Sequence, residues 1–347
     1  MSILNPDAES IRKKAEEAEK TPVYIALFGQ PGAGKSSLIN AIVGQPIAKV
    51  GVENDVTLER TDYEWNGLFL SDLPGYGTAR FPAATYLEKF EITKFDVFLC
   101  VAAGKLKDDD ISFFRELVHA GKRCIFVRNK IDGEFEPSVT DAEMRVRIAA
   151  SIREQVGSEA RIIFTSCRTL QGLDELITTI MNTLSGVKRD RFLRSAAAYS
   201  KEFLDAKRAA CREYAWYAAG VSAAANMIPV PGLGIAADIS TVLAAMAKIR
   251  SDFNLTAARM DKFANLMPGA APVINTVISY ATSEGAMLLL KRVGTTAAVA
   301  EAAKYIPALG TVVAGAVSLA AIRLVLTVYI DDCYKIADEM LTAHFQS

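Results

Sequence analysis

The sequence predicts an α/β domain with a doubly wound, mostly parallel sheet, followed by an all-α helical domain. From Val23 to about Ser185, short apolar runs alternate with amphipathic stretches, the pattern of βα units. After Gly186 the composition turns to long Ala-rich, helix-favouring segments with little strand signal. Length agrees: 347 residues make about two domains at roughly 150 residues each, with room for a large core. The expected boundaries are an N-terminal helix at 1–20, the α/β domain at 21–186 and the helical domain at 187–347.

Met1 to Lys20 is polar and charged, without the apolar stretch of an export signal. Asn5 and Pro6 suit a helix cap and first turn, and Ile11 with Ala15 forms a weak apolar stripe, so a short surface helix is expected. Strands are expected at VYIALF from 23, GLFLSD from 67, FDVFLCVA from 95, RCIFVRN from 123 and RIIFTS from 161. LERTDYEW from 58 alternates as an edge strand does. Helices fall between them at SSLINAIVG, PAATYLEKFE, DDDISFFRELVHA, DAEMRVRIAASIREQV and LDELITTIMNTL. In the second half Gly and Pro punctuate the helices at 229–234, 268–272 and 307–310. The segments starting at Met227 and Tyr305 share Ile, Pro, a break at Gly and a small-residue helix, which suggests two similar helical hairpins.

Charge and cysteine content exclude several classes. Lys and Arg total 39 and Asp and Glu 40, a net charge of −1, so no overall basic field exists to drive DNA binding. The five cysteines are scattered and never in CxxC spacing, which excludes a disulfide framework and a zinc cluster and suits a reducing, cytoplasmic setting. The two histidines make no metal-ligand pattern. Charge is nevertheless uneven: 17 basic against 13 acidic residues from Gly186 on leaves +4, and 22 against 27 before it leaves −5. The excess clusters at Lys188, Arg189, Arg191, Arg194, Lys207, Arg208 and Arg212.

The strongest chemical signal is GQPGAGKS, comprising Gly29, Gln30, Pro31, Gly32, Ala33, Gly34, Lys35 and Ser36, with Ser37 next. It follows an apolar strand and opens a helix, the context in which successive backbone N–H groups cradle a polyphosphate. Lys35 would reach the β- and γ-phosphates as a catalytic contact, and the Ser36 hydroxyl would bind Mg²⁺. NKID, Asn129 to Asp132, lies 94 residues beyond Lys35 (129 − 35) at a predicted strand end. Asp132 can accept from N1–H and the amino group of guanine, whereas adenine has no such donor pair on that edge. Asn129 would tie this segment to the phosphate loop, and Lys130 would lay its stem over the base. Ser166 and Cys167, within TSC after the last strand, make a second candidate base loop.

DLPG, Asp72 to Gly75, sits at another strand end. Asp72 suits the Mg²⁺ shell, and the Gly75 N–H suits the γ-phosphate, so the following loop would sense GTP against GDP. Thr57, the one threonine between Ser37 and Arg60, is the candidate switch threonine for Mg²⁺ and γ-phosphate, though it would serve equally as a β-favouring residue before a strand. Tyr76 stands where small Ras-like GTPases carry a water-orienting glutamine. Slow intrinsic hydrolysis, accelerated when a second molecule completes the site, is the expectation.

These motifs, with VTLER at Val56 to Arg60, DLPGYGT at Asp72, FPAATYLEKF at Phe81 and IPVPGLGIAADISTVL at Ile228 to Leu243, resemble the immunity-related GTPase family over nearly the whole chain. The GKS ending is similar to its lysine-containing members. The resemblance implies a Ras-like P-loop GTPase domain and a helical domain built from both chain ends, so that Met1 to Lys20 would pack with the C-terminal helices. It further implies GTP-dependent self-association through the GTPase domain and action at membranes. Two departures are visible: residue 2 is Ser, so the N-terminal lipidation glycine is missing, and Val50 stands where many members carry a further switch threonine.

The apolar run from Ile306 to Ile330 is long enough for a membrane span. Pro307, Gly310, Gly315 and Arg323 inside it, and comparable segments before it, also describe a packed core. The basic cluster from Lys188 to Arg212 would suit either anionic lipid or a solvated helix face. The leading reading is therefore a cytoplasmic GTPase that self-associates at a membrane surface. The alternative is a GTP-dependent switch on ribosome, RNA or a protein partner, although no KH-like GXXG appendage or aromatic platform follows Gly186.

Overall fold

The computed structural model describes residues 17, 20–50, 60–77, 79–225, 234–294 and 310–343. The expected N-terminal helix, Thr57 and the two Pro-Gly breaks before residues 234 and 310 lie largely or wholly outside them. The chain divides into two compact units, Thr21–Tyr199 and a second containing Ser200–Ser347.

In the first unit six strands form one sheet: β1 (Val23–Phe28), β2 (Thr61–Trp65), β3 (Leu68–Asp72), β4 (Val97–Ala102), β5 (Cys124–Arg128) and β6 (Arg161–Phe164). Their order is β2-β3-β1-β4-β5-β6. Only β2 runs antiparallel, at the edge beside β3, and every other pairing is parallel. Burial explains the difference. β1, β3 and β4 are almost wholly buried, so their sequences are near-continuous apolar runs, whereas TDYEW has one neighbour and stays largely exposed. The register sets Leu27 opposite Asp72, which brings the end of β3 beside the point where β1 turns into the phosphate loop.

The sheet is flanked by α1 (Lys35–Val43), α2 (Ala83–Lys89), α3 (Asp108–His119), α4 (Asp141–Val156), α5 (Leu173–Thr183) and α6 (Gly186–Ser195). α4 begins where Thr140 and Glu143 satisfy each other's backbone N–H groups, a capping box. One core cluster is strongly aromatic: Phe28, Tyr86, Phe98, Phe113, Phe114 and Phe126 are fully buried. Phe28, Tyr76 and Tyr86 all meet the Phe113 ring, at centroid distances of 4.7, 4.6 and 5.0 Å.

α6 belongs to this unit, so the unit runs past the Gly186 boundary read from composition and ends at Tyr199. The helix is basic, yet its second half is buried: Arg191 and Arg194 are covered, and so are Phe192 and Leu193. Ser195 Oγ donates to the Asn66 carbonyl at 2.8 Å, and Lys188 Nζ lies 2.5 Å from Asp96. Much of the basic cluster is thus engaged within the fold, while Arg189 stays exposed on the first turns of α6.

The second unit is helical: α7 (Lys201–Ala225), α8 (Gly234–Asp252), α9 (Ala257–Leu266), α10 (Ala271–Tyr280), α11 (Ser283–Gly294) and α12 (Gly310–Thr342). α12 packs along α7 and against α8 and α11. Its lower half buries Val325, Leu326, Tyr329, Ile330, Cys333 and Ile336. Arg208 Nε and Arg212 Nη2 both donate to Asp331, at 2.9 and 2.8 Å, so the remaining basic excess also joins helices. Lys207 is 2% exposed and donates to the Asp252 carbonyl at 2.7 Å. Among the described residues no helix is long and apolar enough to cross a membrane. The five cysteines are free thiols.

Phe113 carries the aromatic cluster, and Phe113→Ala should lower stability by about 3–5 kcal/mol. Denaturant unfolding of the full chain, followed by the near-ultraviolet signal of the aromatic residues, measures it.

Candidate nucleotide site

The segments singled out from sequence converge at the carboxyl ends of the parallel strands, where open α/β sheets present loops to ligands. Gly29 to Gly34 connects β1 to α1, and Lys35, Ser36 and Ser37 open that helix. Asp72 ends β3 with Gly75 just after it. Asn129 and Lys130 follow β5, Asp132 lies in a single 3-10 turn (Ile131–Gly133), and Ser166 and Cys167 follow β6.

The phosphate loop is held open by two glycines whose replacement the surroundings forbid. A Cβ on Gly29, at φ +126°, would sit 2.1 Å from the Val101 carbonyl oxygen. One on Gly34, at φ +90°, would sit 2.4 Å from Asn129 Nδ2. Lys35 is buried and folds back over the loop, its Nζ donating to the Gly29 and Gln30 carbonyls at 3.0 and 3.2 Å and lying 3.9 Å from Asp72.

The expected tie between base segment and phosphate loop is present: buried Asn129 donates through Nδ2 to the Ala33 carbonyl at 2.9 Å. Its Oδ1 accepts from Thr165 Oγ1 at 3.1 Å and from Cys167 Sγ at 3.8 Å. Asp132 Oδ1 accepts from Ser166 Oγ at 2.6 Å, and Oδ2 pairs with Arg168 Nε at 2.8 Å. The Ser166 hydroxyl, with the Arg168 charge, holds the Asp132 carboxyl below its usual range. Burial pushes the Cys167 thiol up to about 11, so it stays protonated at neutral pH.

Beyond β3, the Tyr76 ring is turned into the core. It stacks on Phe113 with its planes 16° apart, and its hydroxyl donates to Glu116 on α3 at 2.5 Å. Burial and this carboxylate raise its pKa to about 12. Tyr86 Oη donates to the Pro74 carbonyl at 2.5 Å, so two tyrosines pin the DLPGY segment. The fit to Mg²⁺ rests on the donor set: a buried carboxylate at Asp72 and a hydroxyl at Ser36 are the hard oxygen ligands that ion takes.

Sequence reasoning missed Asp110, Arg168 and Glu116. Asp110 is 8% exposed in the first turn of α3, and burial pushes its carboxyl up to about 6 despite the opposing charges of Lys35 and Lys107. The run DDD reads as a helix opening, and only its position one strand from the phosphate loop marks the third acid as different.

A family model described as Interferon-inducible GTPase (IIGP) matches residues 4–281. The chain belongs to this family. It shares 26% identity over 276 residues with mouse Interferon-inducible GTPase 1, which covers 74% of this chain and 67% of that protein. It shares 27% over 346 residues with rat Interferon-inducible GTPase 5, covering 92% and 75%. The structure of Aquifex aeolicus Era Y63A bound to GDP·AlF4⁻ shares 20% identity, covering 57% of this chain and 68% of that one, with a TM-score of 0.40. As a member of the interferon-inducible GTPases, the chain binds GTP and hydrolyses it to GDP and phosphate.

Asp110 gives this GTPase a pH dependence with a definite sign. Its carboxyl is raised in the folded chain, from an ordinary 3.8 to about 6, so the folded state keeps a proton that the unfolded state has lost. Stability falls as pH rises through that window. Asp110→Asn should therefore match wild type near pH 4 and exceed it by up to about 3 kcal/mol at pH 8, read from unfolding at the two pH values.

Proposed function

We propose that this GTPase reads guanine through Asp132, hydrolyses GTP slowly as a single molecule and faster when a second copy joins through the sheet-containing unit, and acts at a membrane surface. The observation that carries it is the pairing of a phosphate loop with a base segment through Asn129, while the side chain after Gly75 is withdrawn. The N–H groups from Gly29 to Ser37 would take the phosphates, and Lys35 would exchange its loop carbonyls for the β- and γ-phosphates. Lys130 would cover the base, Ser166 holds the Asp132 carboxylate in place, and Cys167 lines the same loop. Ser36 and Asp72, with Thr57, would hold Mg²⁺, which neutralises phosphate charge when bound.

Tyr76 supports the slow basal rate. Its phenol is committed to Glu116, so no side chain at this position is free to orient the attacking water. A second copy would supply that group beside Gly75. Turnover per molecule should rise several-fold as protein passes from the nanomolar into the micromolar range, and a flat profile would refute self-activation.

Support for a membrane-facing role comes from family membership and from the helical unit, where Leu266, Met267, Ile278 and Leu288 are exposed. The paired basic residues contribute little, so flotation with liposomes should depend on GTP more than on anionic lipid. Indifference to both lipid and nucleotide, with co-sedimentation on ribosomes instead, would favour the RNA-assembly alternative.

A further inference from the structure

We propose that Arg168 is a built-in stand-in for guanine: it closes on Asp132 when the base is absent and must leave before guanine enters, so it sets the rate of nucleotide uptake. The inference rests on the reading of Asp132 as the guanine acceptor.

Three observations carry it. First, both carboxylate oxygens of Asp132 are occupied by the chain's own donors, Oδ1 by Ser166 Oγ at 2.6 Å and Oδ2 by Arg168 Nε at 2.8 Å. Guanine would have to share one oxygen with Ser166 and displace Arg168 from the other. Secondly, the donors are chemically alike. A guanidinium is a planar fork of N–H groups, and the edge of guanine presents N1–H and an amino N–H side by side. Thirdly, the two occupants differ in mobility. Ser166 is fully buried, its backbone N–H held by the Gln171 carbonyl at 2.9 Å and its hydroxyl accepting from Thr169 N at 3.1 Å. The Arg168 side chain is 77% exposed, and among the described residues its pair with Asp132 is its one polar side-chain contact. Ser166 is therefore a permanent support, and Arg168 swings away at little cost.

An exposed ion pair is weak, so Arg168 slows entry without excluding the base. It also spares Asp132 from standing as a bare carboxylate beside the empty base site.

Stopped-flow association of a fluorescent GDP analogue with the nucleotide-free full chain tests this. Arg168→Ala should bind about two- to fivefold faster than wild type, with an unchanged melting temperature because the side chain is exposed. Losing a positive charge also alters the attraction of the anionic nucleotide, so the same replacement is made in an Asp132→Asn chain and read with the xanthosine diphosphate analogue. The introduced amide is complementary to the 2-oxo group of that base. The acceleration should vanish in that background, because a neutral amide does not hold Arg168. An unchanged or slower Arg168→Ala rate, with guanine preference intact, overturns the stand-in alone, as does an equal acceleration in the Asp132→Asn background. Equal affinity of wild type for GDP and ADP, or no shift of preference to xanthine in Asp132→Asn, overturns the reading of Asp132 and the stand-in with it.

Discussion

One buried hydrogen bond, from the Asn129 amide to the Ala33 carbonyl, fixes the distance between the phosphate loop and the base segment. The two segments belong to different strands, β1 and β5, with β4 between them. Backbone bonds from Asn129 N to the Ala102 carbonyl and from Ile131 N to the Thr165 carbonyl anchor the base segment to its neighbours, and the Asn129 amide adds the link to the phosphate loop. A polar pair sealed in the interior loses both hydration and partner when broken, so it holds its geometry more firmly than a surface contact does. Gly34 exists to admit the amide, since any side chain there would strike it. Thr165 and Cys167 complete the Asn129 oxygen, which brings the loop after β6 into the same arrangement.

The aromatic cluster does for the loop after β3 what Asn129 does for the base segment. Phe113 contacts Phe28, Tyr76 and Tyr86, so the half-buried residue following Gly75 is packed against the core. Packing and chemistry therefore pull on one residue. A tyrosine at 76 gains ring contacts and a carboxylate partner at the expense of a polar group aimed at the phosphate end of the site.

Most of the sheet was legible because its strands are buried and its periodicity is undiluted: VYIALF and RIIF could hardly be anything else. The placement of GQPGAGKS and NKID at the ends of β1 and β5 was legible because spacing and strand context agree. The end of the first unit was misplaced because α6 is basic, and composition cannot show that Arg191 and Arg194 are covered while Lys188 answers Asp96 from 92 residues away. Charges in the interior look the same in a sequence as charges in water. Asp110 and Arg168 were missed for the same reason. Neither belongs to a motif, and each acquires its character from burial or from a partner on another loop.

Lys207 has a consequence for the helical unit. A buried ammonium group that donates to the carbonyl of Asp252, the last residue of α8, favours one alignment of α7 against α8. Sliding either helix by a turn would strand a charge in hydrocarbon, a far larger penalty than the loss of a few methyl contacts. The two helices are thereby keyed, like a shaft in its hub, against slippage of one along the other.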